Sequence, residues 1–224
     1  MASVFYIGDS TVTFNKITTY PQQGMSNALP LFLKDGITSH PFGYNGRSTK
    51  SFLDEGLFEP VRTGMVAGDF LLIQFGHNDE KADPARHTDP QTSFKENLSY
   101  FVNCARDVGA YPVLITSIAR RLFDENGQFL PGSHGDYPAA VRELGIQLDV
   151  PVIDMTTITE NFLAELSDEA SKPLFVWPVD NTHLKFDGAV TMVRFLCQEI
   201  AKLGSPYTDI LVPLESRIDT RGEI

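Results

Sequence analysis

DFLLIQF at residues 69–75, followed without a break by Gly76-His77-Asn78-Asp79, decides the reading of this chain. Its apolar residues run on instead of alternating, the pattern of a strand buried on both faces, and the run stops at a cluster of turn formers. Working outward, residues 4–7 (VFYI), 111–116 (YPVLIT) and 151–155 (PVIDM) share that character, and residues 37–41 form a weaker candidate. Helix-like patterns fill the gaps at 26–34, 93–108, 138–148, 157–166 and 187–202. Strands alternating with helices predict an α/β, doubly wound sheet of about five parallel strands, covered on both faces, whose ligands gather beyond the carboxyl ends of the strands.

The chain of 224 residues is 42% hydrophobic and 21% charged, which suits one domain with its own core and argues against disorder. We place that domain at 1–203. Residues 204–224, with an apolar Ile210-Leu211-Val212, are expected to form an arm against the body or against a second copy in a homo-oligomer, or a solvated tail. The formal charge is −11, most of it in the second half of the chain, a field that repels phosphate backbones and anionic lipid, so neither nucleic acid nor a membrane is an expected partner. No run approaches the 18 or so apolar residues of a spanning helix, and no basic segment precedes the first strand; the expected location is the cytoplasm. Cys104 and Cys197 lack metal or redox spacing and read as reduced, packed thiols.

Polar motifs stand after the strand candidates. Gly8-Asp9-Ser10-Thr11 follows the first; its serine suits either a nucleophile or a helix cap. Asn45-Gly46-Arg47-Ser48 follows the second, where a glycine can present its N–H to a ligand or make an ordinary turn. Asn78 is an uncharged amide able to donate to an oxyanion, or a turn former, while His77 reads as structural. Late in the chain, Asp180-Asn181-Thr182-His183 places a carboxylate and an imidazole three residues apart, on one side of a helical turn, as a base with its orienting acid or as a surface helix cap. The long segment 119–137, with Gly127, Pro131, Gly132 and Gly135, reads as a loop over the same rim.

Taken together, Ser10, Gly46, Asn78 and His183, with Asp180 three positions before the histidine, resemble the four signature blocks of the SGNH branch of the GDSL hydrolases. The strings Ile73-Gln74-Phe75-Gly76-His77-Asn78-Asp79, Arg86-His87-Thr88-Asp89-Pro90, Lys95-Glu96-Asn97-Leu98, Ala119-Arg120-Arg121, His134-Gly135-Asp136-Tyr137-Pro138-Ala139-Ala140 and Asp180-Asn181-Thr182-His183 are similar to bacterial rhamnogalacturonan acetylesterases, a likeness covering roughly residues 4–203. One departure, Gly24-Met25-Ser26 where that family has Gly-Trp-Gly, is expected to alter the substrate wall.

The resemblance implies a three-layer, flavodoxin-like SGNH hydrolase fold and a serine esterase that removes acetyl groups from pectic oligosaccharides without metal or organic cofactor. It implies Ser10 as nucleophile, His183 as base, Asp180 as its orienting acid, and the N–H groups of Ser10 and Gly46 with the Asn78 amide as oxyanion donors. Thr11, Arg47, Arg120, Arg121, His134 and Tyr137 are the expected substrate contacts, arginines suiting uronate sugars. Other readings are an acetylesterase acting on xylan fragments and a catalytically silent sugar-binding protein. An α/β-hydrolase is disfavoured because no G-x-S-x-G occurs, and a nucleotide-binding domain because neither phosphate-binding glycine motif is present.

Overall fold

The computed structural model describes residues 2–214. Five strands, β1 (Ser3–Gly8), β2 (Thr38–Gly43), β3 (Phe70–Gln74), β4 (Tyr111–Ile115) and β5 (Val152–Ile153), pair in parallel in the order β2-β1-β3-β4-β5. This is the flavodoxin-like order, whose direction reverses beside β1 and leaves a crevice at the carboxyl ends there. All five strands fall at the expected runs.

The two-residue period of a strand divides the core into two layers. Val4 and Tyr6 of β1, Phe70 and Leu72 of β3 and Val113 and Ile115 of β4 face one side. They pack on α1 (Met25–Ala28), α6 (Met155–Glu165) and α8 (Phe186–Lys202). Phe5, Ile7, Leu71, Ile73 and Leu114 face the other, against α2 (Thr49–Asp54), α3 (Glu59–Gly64), α4 (Ser93–Asp107) and α5 (Tyr137–Leu148). That second layer is rich in phenylalanine, with Phe52 edge-on to both Phe75 and Phe101. The interior strands β1, β3 and β4 therefore need nearly continuous apolar runs, since helices cover both faces, while the edge strand β2 is partly exposed and carries Thr38, Ser39 and His40.

Pro30 has no N–H for an α-helical bond and stops α1 after one turn, so the expected helix at 26–34 continues as a tighter turn over Leu29–Phe32. The short α2, α3 and α7 (Asp168–Ser171) carry too few residues for a periodic signal and were not foreseen. Cys104 on α4 and Cys197 on α8 are free thiols on opposite sides of the sheet. Within 204–214, Ile210 and Leu211 are buried on the body: Leu211 bridges to Leu33, and the Val212 N–H donates to the Phe32 carbonyl at 3.0 Å. The remainder of the expected arm, 215–224, lies outside the described residues. No helix among the described residues is long and apolar enough to cross a membrane.

Candidate active site

β1 delivers Ser10. A side chain at Gly8 would lie 2.5 Å from the Gln74 carbonyl oxygen and 2.6 Å from Val12, so only glycine lets the strand end this close to β3. Beyond it the N–H groups of Val12 and Thr13 both turn back to the Asp9 carbonyl at 3.1 Å. The Asp9 carboxylate is fully buried and accepts from the N–H and the hydroxyl of Thr11, at 2.9 and 2.8 Å. Burial raises its pKa against those bonds. The turn is thus pinned from inside, and Ser10 stands on its outer side at the mouth of a cleft.

The imidazole arrives from the far end of the chain. Asp180 Oδ1 accepts the backbone N–H groups of Thr182 and His183 at 2.8 and 2.7 Å, and Oδ2 lies 2.9 Å from His183 Nδ1. A carboxylate only accepts, so Nδ1 carries the hydrogen and Nε2 offers its lone pair to Ser10 Oγ, 2.9 Å away. Burial alone would raise the Asp180 pKa, but the hydrogen bonds from His183 and Thr182 together outweigh it and hold the carboxyl below its usual range. The sequence reading expected a helical turn here. Residues 180–183 instead form a loop before α8, closed by the aspartate side chain, because Phe175 and Leu184 bridge and the Val176 N–H reaches the His183 carbonyl at 2.8 Å.

Gly46 turns the chain after β2 at a φ of +75°, a conformation that other residues adopt only with strain. Among the described residues, neither its N–H nor that of Ser10 has an acceptor. Asn78, in the turn after β3, donates from Nδ2 to the Arg47 carbonyl at 3.1 Å, which ties it to the Gly46 loop. Asp79 makes a second tie, accepting both the N–H and the hydroxyl of Thr49 at the start of α2. Burial raises the Asp79 pKa to about 7 even against those hydrogen bonds and one from Thr88. Ser10, Gly46, Asn78, Asp180 and His183 all line one cleft of about 340 Å³ at the β1 switch point.

Of the six expected substrate contacts, only Arg120 lines this cleft. Thr11 is 1% exposed, bonded to Asp9. Arg47 points away to an ion pair with Glu55. Arg121 is 2% exposed, sits over the rings of Trp177 and Phe123, and binds Asp168 and Ser171. His134 is buried between the Ile118 carbonyl and the Glu80 carboxylate, and the Tyr137 hydroxyl donates to the carbonyls of Asp79 and Thr88. These five brace the loops that carry the site. Arg120 does so too, joining Glu80 to the Thr182 hydroxyl of the histidine loop at 2.8 Å. Glu80 itself is held below its usual pKa: burial opposes this, and His134 and Arg120 outweigh burial.

Gln22, Asn45, Lys81, Arg86 and Thr182 line the cleft without having been expected as site residues; Asn45, Arg86 and Thr182 stand inside the quoted motifs, whereas nothing in the local sequence of Gln22 and Lys81 distinguishes them from other loop polars. His77 lines it as well, 3% exposed, edge-on to His134, with neither ring nitrogen partnered and a pKa pushed well below the ordinary value, chiefly by burial. Met25 is fully buried in the core, so the departure at Gly24-Met25-Ser26 changes packing beneath the first loop and not the wall of the cleft. Among the described residues no cluster of His, Cys, Asp and Glu is set to hold a metal ion.

No protein-family model matches the chain. It is 37% identical over 226 residues to the rhamnogalacturonan acetylesterase RhgT of Bacillus subtilis, covering 96% of each. Its fold is similar to the crystal structure of YxiM of Bacillus subtilis, with a TM-score of 0.80 at 20% identity over 92% of this chain and 58% of that one. It is also similar to Axe2, an acetylxylan esterase of Geobacillus stearothermophilus, at a TM-score of 0.66 and 16% identity over 92% and 95% of the two chains. With that identity to RhgT along nearly its whole length, and with the doubly wound sheet of these esterases, the chain belongs to the rhamnogalacturonan acetylesterase family of SGNH-type carboxylic ester hydrolases.

Proposed function

We propose that the protein removes acetyl groups from rhamnogalacturonan-derived oligosaccharides through an acyl-enzyme on Ser10. The observation that carries this is the 2.9 Å contact between Ser10 Oγ and an imidazole nitrogen whose other nitrogen is bonded to Asp180. His183 Nε2 takes the hydroxyl proton as Oγ bonds to the acetyl carbonyl carbon, and Asp180 stabilises the imidazolium that forms. The resulting oxyanion meets the N–H of Ser10, the N–H of Gly46 and the free N–H of the Asn78 amide. The tetrahedral centre collapses by breaking its bond to the sugar oxygen, which receives the proton from His183. Water then adds to the acyl-enzyme by the same route in reverse, releasing acetate and restoring Ser10. The 37% identity to RhgT supports the pectic substrate, and Lys81 and Arg120 at the cleft put cations beside the catalytic groups of an acidic protein, suited to uronate sugars. Two unpaired thiols fit a reducing compartment, where such substrates would be imported fragments.

Ser10→Ala and His183→Ala are each expected to abolish acetate release from p-nitrophenyl acetate with folding intact, and a fluorophosphonate should label Ser10 in the intact protein. Full activity in either variant removes the mechanism. A panel of acetylated oligosaccharides then tests the substrate: turnover of xylan fragments in preference to pectic ones would displace that part.

A further inference from the structure

The Asn78 amide is held at both ends by groups that cannot exchange roles. Nδ2 faces the Arg47 carbonyl, which only accepts, at 3.1 Å. Oδ1 faces Arg86 Nη1, which only donates, at 3.2 Å. These partners fix which end of the amide is nitrogen and leave one Nδ2 hydrogen without an acceptor, in a side chain that lines the cleft beside Ser10 and Gly46. Arg86 is itself anchored: its Nε pairs with Asp83 Oδ2 at 3.0 Å and its N–H returns to the Asp83 carbonyl at 2.9 Å. Asp83 thus presents the guanidinium to the amide.

We propose that Arg86 is a positioning residue for ester hydrolysis, acting through Asn78 to aim and polarise its oxyanion donor. This rests on the proposed function above. A cation at Oδ1 draws electron density from the amide nitrogen, strengthening Nδ2–H as a donor, and it penalises rotation of the amide by 180°, which would set NH2 against a guanidinium and oxygen against a carbonyl. The contribution arises as charge develops on the acetyl oxygen, so it falls on kcat. Arg86 also lines the cleft, and a sugar carboxylate is the competing explanation for its presence there. The two part on a substrate that has no sugar.

The experiment is steady-state hydrolysis of p-nitrophenyl acetate by Arg86→Ala, Arg86→Lys, Asn78→Ala and the double Ala variant, with thermal unfolding to verify each fold. Arg86→Ala should lower kcat roughly tenfold, a fraction of the hundredfold or more expected for losing the donor itself, with KM within about twofold. Arg86→Lys, which retains a donor cation, should recover part of the loss. In the Asn78→Ala background, removing Arg86 should cost less than about twofold, because no amide remains to aim. Undiminished kcat in Arg86→Ala, or the same factor in both backgrounds, overturns the proposal and leaves the ester hydrolysis standing. A loss confined to KM for uronate substrates overturns it in favour of carboxylate binding. If Ser10→Ala remains active, the hydrolytic reading has failed and this one with it.

Discussion

Replacing Asp180 by asparagine separates the two tasks its carboxylate performs. Oδ1 holds two backbone N–H groups at 2.8 and 2.7 Å, and Oδ2 holds the ring of His183 at 2.9 Å. In Asp180→Asn the amide oxygen must take the Oδ1 position, since the reverse orientation sets an NH2 against two N–H donors and sacrifices two hydrogen bonds of about 1 kcal/mol each. The NH2 group then faces Nδ1 and obliges it to accept, which moves the ring hydrogen to Nε2, where it points at Ser10 Oγ. An imidazole in that tautomer cannot take the serine proton. The expected loss in kcat is ~10⁴-fold, equivalent to about 5 kcal/mol of transition-state stabilisation, with a melting temperature within a degree or two of the parent. Asp180→Ala loses the turn as well and should unfold several degrees lower, yet its imidazole is free to adopt either tautomer. The asparagine variant is therefore expected to be the more stable and no more active of the two. The assay is p-nitrophenyl acetate turnover on protein whose folded fraction is measured by circular dichroism. An asparagine variant within tenfold of the parent would refute the tautomer argument.

Two further outcomes concern stability. Asp79 has its pKa raised by burial to about 7, so its ionisation opposes folding: stability is greatest below the unfolded-state value near 4, falls as pH rises from about 4 to about 7, and is level above that. Over that interval the fall amounts to as much as about 4 kcal/mol; urea unfolding at pH 5 and pH 8 should show Asp79→Asn with a distinctly smaller difference than the parent, and equal differences would contradict it. Arg121→Ala leaves Asp168 without its buried partner and empties the space over Trp177 and Phe123, at an expected cost of about 3 kcal/mol, read as a lowered urea midpoint. Below its unfolding range KM should be unchanged, and a raised KM with unaltered stability would mean that the guanidinium reaches substrate.

The interior strands were legible because a sheet covered on both faces demands nearly unbroken apolar runs, and few other structures do; the edge strand β2, mixed in sequence and partly exposed, left only the weaker signal at 37–41. The long helices were legible for the same reason: α4 and α8 carry one apolar face through four turns or more. The site was legible as an order of motifs, since each stands where a parallel sheet brings its strand ends together. Side-chain direction was not. Arg120 and Arg121 are adjacent, yet one lines the cleft and the other is sealed under Trp177, because the chain leaves β4 as an irregular segment with no period to assign faces. Thr11, His134 and Tyr137 also read as loop polars and prove to be struts: Thr11 is bonded to Asp9 two positions before it, while His134 and Tyr137 are satisfied by Glu80 and the Asp79 carbonyl, more than 50 positions away in the sequence.

By itself, the sequence determined the layers, the strand runs and which residue types could perform acyl transfer, for these follow from local periodicity and from the chemistry of the side chains. Only the tertiary structure decided that Ser10 and His183, 173 positions apart, touch at 2.9 Å, that Asp180 closes a loop and not a helix, and which polar groups face the cleft. Hydrogen bonds depend on tenths of an ångström between distant segments, and no local pattern of residues records such a distance.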